Sequence, residues 1–352
     1  MNRKQRRAAD KIGKAKTKTG APRSAADNVV DKAIAAVQAG ALAEAEAAFD
    51  QVLARVPDHT EALHQKGMLM ARTDRVEEGI VLLRRVTTQK PGEALYWNNL
   101  SAACLTIERS DEGLAAARKA VELDPKYTMA WRNLAMAAAD LSQHKEAAEA
   151  LETAARLVPK DPEIWSRLGL AYLGLADNAR AETAFAKAVA LDPGNAECLS
   201  NLGGALIRQD RSNEAVPHLE KAAGIDPDSF PVALHYGMAL TFAGDLAKGM
   251  RWLRRATSID PRSDSAWGAL ADAAVMAGEK AEALDAARRA AEFAPGDPAH
   301  QARLKKLERG AGLGPIELDF GGLVDASSLQ APDAKKPDEL DLSRSLGQIF
   351  IG

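Results

Sequence analysis

Along most of the chain, apolar and polar positions recur on a fixed beat. Prolines stand at Pro57, Pro91, Pro125, Pro159, Pro193, Pro227, Pro261 and Pro295, each 34 residues after the one before. The residues between them keep their places too. In residues 162–193, Leu168, Gly169 and Tyr172 stand three, four and seven residues after Trp165, and after a gap Phe185 and Ala188 stand four and seven after Ala181. Such steps put each group on one face of a helix, so the pattern predicts two short helices per unit and eight units in a row. A unit of this size cannot bury its apolar face alone and must stack on its neighbours.

Each recurring residue type has a physical task. Small residues (Gly67, Ala135, Gly169, Gly203, Gly237, Ala271) let the first helix of a unit approach the second, and large ones such as Trp165 and Phe185 fill the space between helices. Gly40, Gly244 and Gly278 stand where the first helix must stop, because glycine takes the left-handed C′ conformation cheaply. Proline after the second helix blocks its continuation. The first unit departs most from the pattern, with Val29 in place of Trp and Lys32 in place of Leu.

Trp165, Leu168, Gly169, Tyr172, Ala181, Phe185, Ala188 and Pro193 match the tetratricopeptide-repeat signature at every position, and Trp131, Leu134, Ala147 and Ala154 or Trp267, Leu270, Ala283 and Ala290 repeat it. Residues 26–295 therefore resemble that family. The resemblance implies an all-α solenoid, a right-handed superhelix of eight helix-turn-helix units, whose work is to hold other proteins. Residues 296–309, with the polar run Pro298–Arg309, are predicted to form a capping helix.

Composition adds the ends. Aromatic residues make up only 5% of the chain while alanine runs recur, which suits closely packed helices. Residues 1–23 carry nine basic side chains against Asp10, and residues 310–352 carry seven acids against Lys335, Lys336 and Arg344. Residues 1–25 are thus expected to be a basic arm and 310–352 an acidic tail outside the repeats. In the tail, PIELDF and LSRSLGQIFI set apolar side chains in polar sequence, as segments that order on binding do. One expectation is that such a segment competes for the protein's own groove.

Cys104 and Cys198 are too few and too far apart for a disulfide scaffold, no stretch approaches a membrane span, and no apolar core follows the basic start. A cytoplasmic protein is expected, with neither membrane nor nucleic acid as partner. The opening MNRKQRRAADK resembles the start of bacterial tetratricopeptide-repeat proteins. No nucleophile, phosphate-binding or metal motif is present, and the six histidines show no ligand spacing. The chain is read as non-catalytic, without cofactor or metal, and its lone histidines as surface or groove residues. The recurring tryptophans are read as core.

The remaining chemistry lies on the first helices, which line the groove in this family. Their sixth positions read Asp31, Gln65, Asn99, Asn133, Arg167, Asn201, His235 and Ala269. The words NNLSAA, RNLAMA and SNLGGA around the asparagines resemble units of the O-GlcNAc transferase repeat domain, which implies an amide ladder that holds an extended peptide. An amide suits this because it can donate to a peptide C=O and accept from a peptide N–H. The rival expectation is that each amide bonds a neighbouring helix. Ninth positions add Met68, Met136, Leu170 and Met238 as an adaptable apolar floor. The predicted groove is therefore Gln65, Met68, Asn99, Asn133, Met136, Arg167, Leu170, Asn201, His235 and Met238. A two-carboxylate clamp is excluded, since no three consecutive units supply its Lys and Asn set. Expected partners are extended protein segments. The alternative is a non-catalytic role in substrate recognition beside a glycosyltransferase.

Overall fold

The computed structural model describes residues 24–310, and among these it holds seventeen helices and no strand. They are α1 (Ala25–Gln38), α2 (Leu42–Arg55), α3 (Thr60–Ala71), α4 (Val76–Gln89), α5 (Ala94–Thr106), α6 (Ser110–Leu123), α7 (Thr128–Asp140), α8 (His144–Leu157) and α9 (Pro162–Gly174). Then follow α10 (Asn178–Leu191), α11 (Ala196–Ile207), α12 (Ser212–Ile225), α13 (Phe230–Phe242), α14 (Leu246–Ile259), α15 (Asp264–Ala277), α16 (Lys280–Phe293) and α17 (Pro298–Glu308). Odd-numbered helices through α15 are the first of each repeat and even-numbered ones the second. The predicted basic arm, all but its last residues, and the acidic tail with PIELDF and LSRSLGQIFI lie outside the described residues.

The chain divides into two compact units, which among the described residues span 24–143 and 144–310. Within each, second helices pack on the first helix of the next repeat, and first helices also touch one another. The core is one repeat position used again and again: Phe49, Leu83, Phe185, Leu219 and Leu253, on five second helices, are fully buried. Each such side chain contributes about 1.5–3 kcal/mol. Small residues opposite make this possible. A Cβ on Gly169 would stand 2.5 Å from Phe185 Cε1, so a larger residue there would displace the ring. The irregular first repeat folds because its apolar stripe survives the lost signature: Val30, Ala33 and Val37 of α1 face Ala45, Phe49 and Val52 of α2.

Helix ends follow local chemistry. Ser24 caps α1 reciprocally with Asp27, and Asp161, Asn195, Ser263 and Asp297 accept backbone N–H bonds at the starts of α9, α11, α15 and α17. At the turn after the first helix, Gly40, Gly244 and Gly278 take positive φ of 81°, 91° and 78°, as the sequence predicts. Four repeats between them put Glu108, Ser142, Ala176 and Asp210 in the same left-handed region, at φ between 56° and 59°. Their turns hold because the next residue reaches back five positions, as in Arg109 N–H to Cys104 O at 3.0 Å and Asp177 N–H to Tyr172 O at 2.9 Å.

The recurring tryptophans are half-buried rather than fully in the core. Trp97, Trp131, Trp165 and Trp267 each donate the indole N–H to the carbonyl of the repeat proline six residues earlier, at 2.9 Å. Lys187 stands over the Trp165 ring at 4.1 Å. Cys104 and Cys198 are buried free thiols, and burial pushes Cys104 up to about 12. Among the described residues no helix is long and apolar enough to cross a membrane.

Candidate binding face

In each unit the first helices lie side by side, and their fifth and sixth positions meet across repeats. The rule is an offset of 35 residues: the fifth position of one repeat reaches the sixth of the next. In the unit of residues 24–143 this builds a continuous series. Asn133 Nδ2 of α7 donates to Asn98 Oδ1 of α5 at 2.9 Å. Asn98 Nδ2 donates to Asn99 Oδ1 at 3.2 Å. Asn99 Nδ2 donates to His64 Nε2 of α3 at 2.8 Å. All four side chains are buried.

The near end of the series is open. His64 Nδ1 is buried and among the described residues has no hydrogen-bond partner. Glu61 Oε1 stands 4.0 Å away on the same helix. Gln65 Nε2 donates to that same Glu61 oxygen at 2.8 Å. The neighbouring His64 holds the Glu61 carboxyl below its usual range, against the cost of burial and with Gln65 helping. The Tyr96 ring meets the imidazole edge-on at 4.9 Å between centroids, and burial raises its phenol.

The unit of residues 144–310 is built differently. Ser200 of α11 and His235 Nδ1 of α13 lie 2.9 Å apart, the same 35-residue offset. Burial, with nearby Arg208 adding to it, pushes His235 down to about 4, so it is neutral. Burial raises the Cys198 thiol, and Ser166, the fifth-position residue before Asn201, acts against that rise. Asn201 is 6% exposed, and among the described residues its amide makes no hydrogen bond. Half-buried Arg167 and Leu170 occupy the sixth and ninth positions of α9, with Arg167 Nε on Glu163 Oε1 at 3.0 Å.

The predicted groove residues thus fall into layers. Met136, Arg167 and Leu170 are partly exposed, whereas Gln65, Met68, Asn99, Asn133, Asn201, His235 and Met238 are buried. His64, His235 and His300, expected from the sequence as surface or groove residues, are buried and pair with neighbouring helices. Both His64 and Asn98 escaped notice as ladder members, and the polar residues spaced 35 apart were the signal that could have found them.

At the end of the second unit, Asp264, Asp297 and His300 bring carboxylate and imidazole atoms within 4.8 Å of one another, a spacing that could hold a metal ion. Their separation along the chain hides this cluster from motif spacing. Arg303 decides its chemistry. Arg303 Nη1 lies 2.8 Å from His300 Nδ1 and can only donate, so Nδ1 accepts and Nε2 carries the proton. That N–H faces Asp264 Oδ2 at 3.1 Å. With no lone pair left on Nε2, the cluster is a docking network for α17. Arg303 completes it on Asp272 with bonds of 2.8 and 3.0 Å, while burial raises the Asp272 carboxyl.

Two sequence profiles described as tetratricopeptide repeat match the chain, one over residues 96–162 and 166–230, the other over 36–104 and 207–269. No curated protein sequence matches. Among solved structures, a tetratricopeptide repeat protein from Parabacteroides merdae is similar at a TM-score of 0.56 and 15% identity, over 71% of this chain and 98% of that one. The APC/C hetero-tetramer Cut9-Hcn1 is similar at 0.55 and 17% identity, over 86% of this chain. This chain spans 59% of the length of that relative. At these identities the likeness shows the fold.

Proposed function

The chain belongs to the tetratricopeptide-repeat family and is a protein-interaction scaffold; from that premise we propose that the first helices of residues 144–310 bind extended peptide segments. The observation that carries the proposal is the Asn201 amide, which sits on this layer with neither its donor nor its acceptor committed to another of the described residues. An extended peptide offers an N–H and a C=O that match it. Arg167 and Leu170 on the neighbouring first helix supply a cation and an apolar contact. In the unit of residues 24–143 the amides of Asn99 and Asn133 already join helices, so they are not offered to a ligand. Pairing with ligand backbone rather than side chains gives a broad partner range, and each bond adds about 0.5–1.5 kcal/mol.

Selection of binders from a displayed library of unstructured peptides, followed by fluorescence anisotropy, tests this. Asn201→Ala is expected to weaken the selected peptides by about 3- to 12-fold while leaving helicity unchanged. Equal affinity in the variant would remove Asn201 from the binding face. The narrower role, presenting substrates to a partner glycosyltransferase, rests on the likeness of the asparagine-bearing helices and of the opening MNRKQRRAADK. It predicts that peptides selected this way are rich in acceptor hydroxyls.

A further inference from the structure

We propose that His64, Asn99, Asn98 and Asn133 form a reversible hydrogen-bond relay across three successive first helices, with its donor-to-acceptor sense set by the protonation of His64. Every bond in the series runs one way, from Asn133 through Asn98 and Asn99 to His64 Nε2. An amide has one oxygen and one NH₂ on opposite prongs, so each link can be reversed only by turning the amide over. No link can reverse alone, because two oxygens or two NH₂ groups would then face each other in a buried site. The relay therefore has two coherent states and no stable mixtures.

Neutral His64 selects the observed sense. Its Nε2 accepts from Asn99, which places the ring proton on Nδ1, facing Glu61 Oε1 at 4.0 Å. The other neutral tautomer would turn a bare nitrogen lone pair toward that carboxylate. When solvent protonates His64, the new proton arrives at Nε2, which then donates. Asn99 must present Oδ1, Asn98 must turn to accept from Asn99, and Asn133 must turn to accept from Asn98. Three amides exchange O and N, and Asn133 gives up the 3.5 Å contact its Nδ2 makes with the Asn98 backbone carbonyl. The imidazolium that results lies beside the ionised Glu61.

The titratable groups around this imidazole are few. Glu61 shares its helix, and Tyr96 faces the ring from α5. Glu93, at the start of α5, and Glu61 both act on Tyr96, and His59 acts on Glu61. Of these, Glu61 is the charged group facing Nδ1, and its carboxyl is held below its usual range. Acidification thus gives the Glu61 carboxylate, which at neutral pH accepts from Gln65, a charged partner as well. The device does not depend on peptide binding and would operate in the empty protein.

Nitrogen-15 labelling of His and Asn side chains in the full chain tests it, with His64→Gln used to assign the imidazole. At neutral pH the His64 ring is expected as the Nδ1–H tautomer. On acidification the NH₂ signals of Asn98, Asn99 and Asn133 are expected to shift together, with the midpoint of His64. In His64→Gln those three signals should cease to follow pH. An Nε2–H tautomer at neutral pH, or amides that stay fixed while His64 titrates, overturns the proposal. So does amide titration that persists in His64→Gln. Asn98→Ala gives an independent reading, since Asn133 should then lose its response while Asn99 keeps it. A His64 that never titrates in the folded chain also defeats the proposal.

Discussion

The two units use the same repeat position for opposite ends. In residues 24–143, Asn99 and Asn133 are locked into a series that runs to His64. In residues 144–310, Asn201 stands at the equivalent position and bonds nothing among the described residues. The difference lies one repeat earlier. His64 and Asn98 are long enough, and polar enough, to reach the amide 35 residues on. Ser166 is short, and among the described residues no hydrogen bond joins it to Asn201. Whether an amide on this layer joins helices or awaits a partner is therefore decided by its neighbour, not by the amide itself.

The largest expected break in this comparison is Asn99→Ala. It removes an acceptor from Asn98 and a donor from His64 in a buried site, and it should lower stability by about 2–4 kcal/mol in urea denaturation. Asn201→Ala should change it by less than about 0.5 kcal/mol. Similar losses in the two variants would mean that the units do not differ as described.

Acid should separate the units further. His235 is held neutral, with its value down at about 4 against an ordinary 6.5. The unfolded chain therefore binds the proton first as pH falls. Stability linked to His235 is complete above pH 6.5 and is lost as pH drops from 6.5 toward 4. The loss is of the order of 3 kcal/mol. His235→Phe should flatten that part of the profile, as followed by circular dichroism of chemical denaturation at stepped pH; an unchanged slope would assign the acid sensitivity elsewhere.

The smallest effect sharpens the comparison by being equal on both sides. Glu108 in the first unit and Ala176 in the second hold left-handed turns with φ of 59° and 56°. Glycine carries no Cβ penalty there, so Glu108→Gly and Ala176→Gly should each stabilise by about 1 kcal/mol. Calorimetry showing a gain in one unit only would mean that the turns differ in ways their backbone does not reveal.

The fold was legible because it rests on repetition. Proline every 34 residues, a small residue opposite Phe185 or Leu219, and glycine at positions 40, 244 and 278 each carry a steric signal that survives in one sequence. The turns at Glu108, Ser142, Ala176 and Asp210 were not legible, because their bridging hydrogen bonds come from backbone and leave no mark on residue type. The binding face was half legible. Repeat arithmetic located the asparagines, but reading one column at a time concealed their partners. His64 belongs to the fifth column and Asn99 to the sixth, and only folding brings the two columns together.

The tryptophan-to-proline bonds carry one more consequence. Trp97, Trp131, Trp165 and Trp267 sit one to a repeat boundary, each half-shielded and each tied to the loop that starts its own repeat. An indole released from such a carbonyl and wetted by solvent changes its emission colour. The chain thus carries its own row of optical gauges, and leaving a single tryptophan in place would let light report which boundary loosens first.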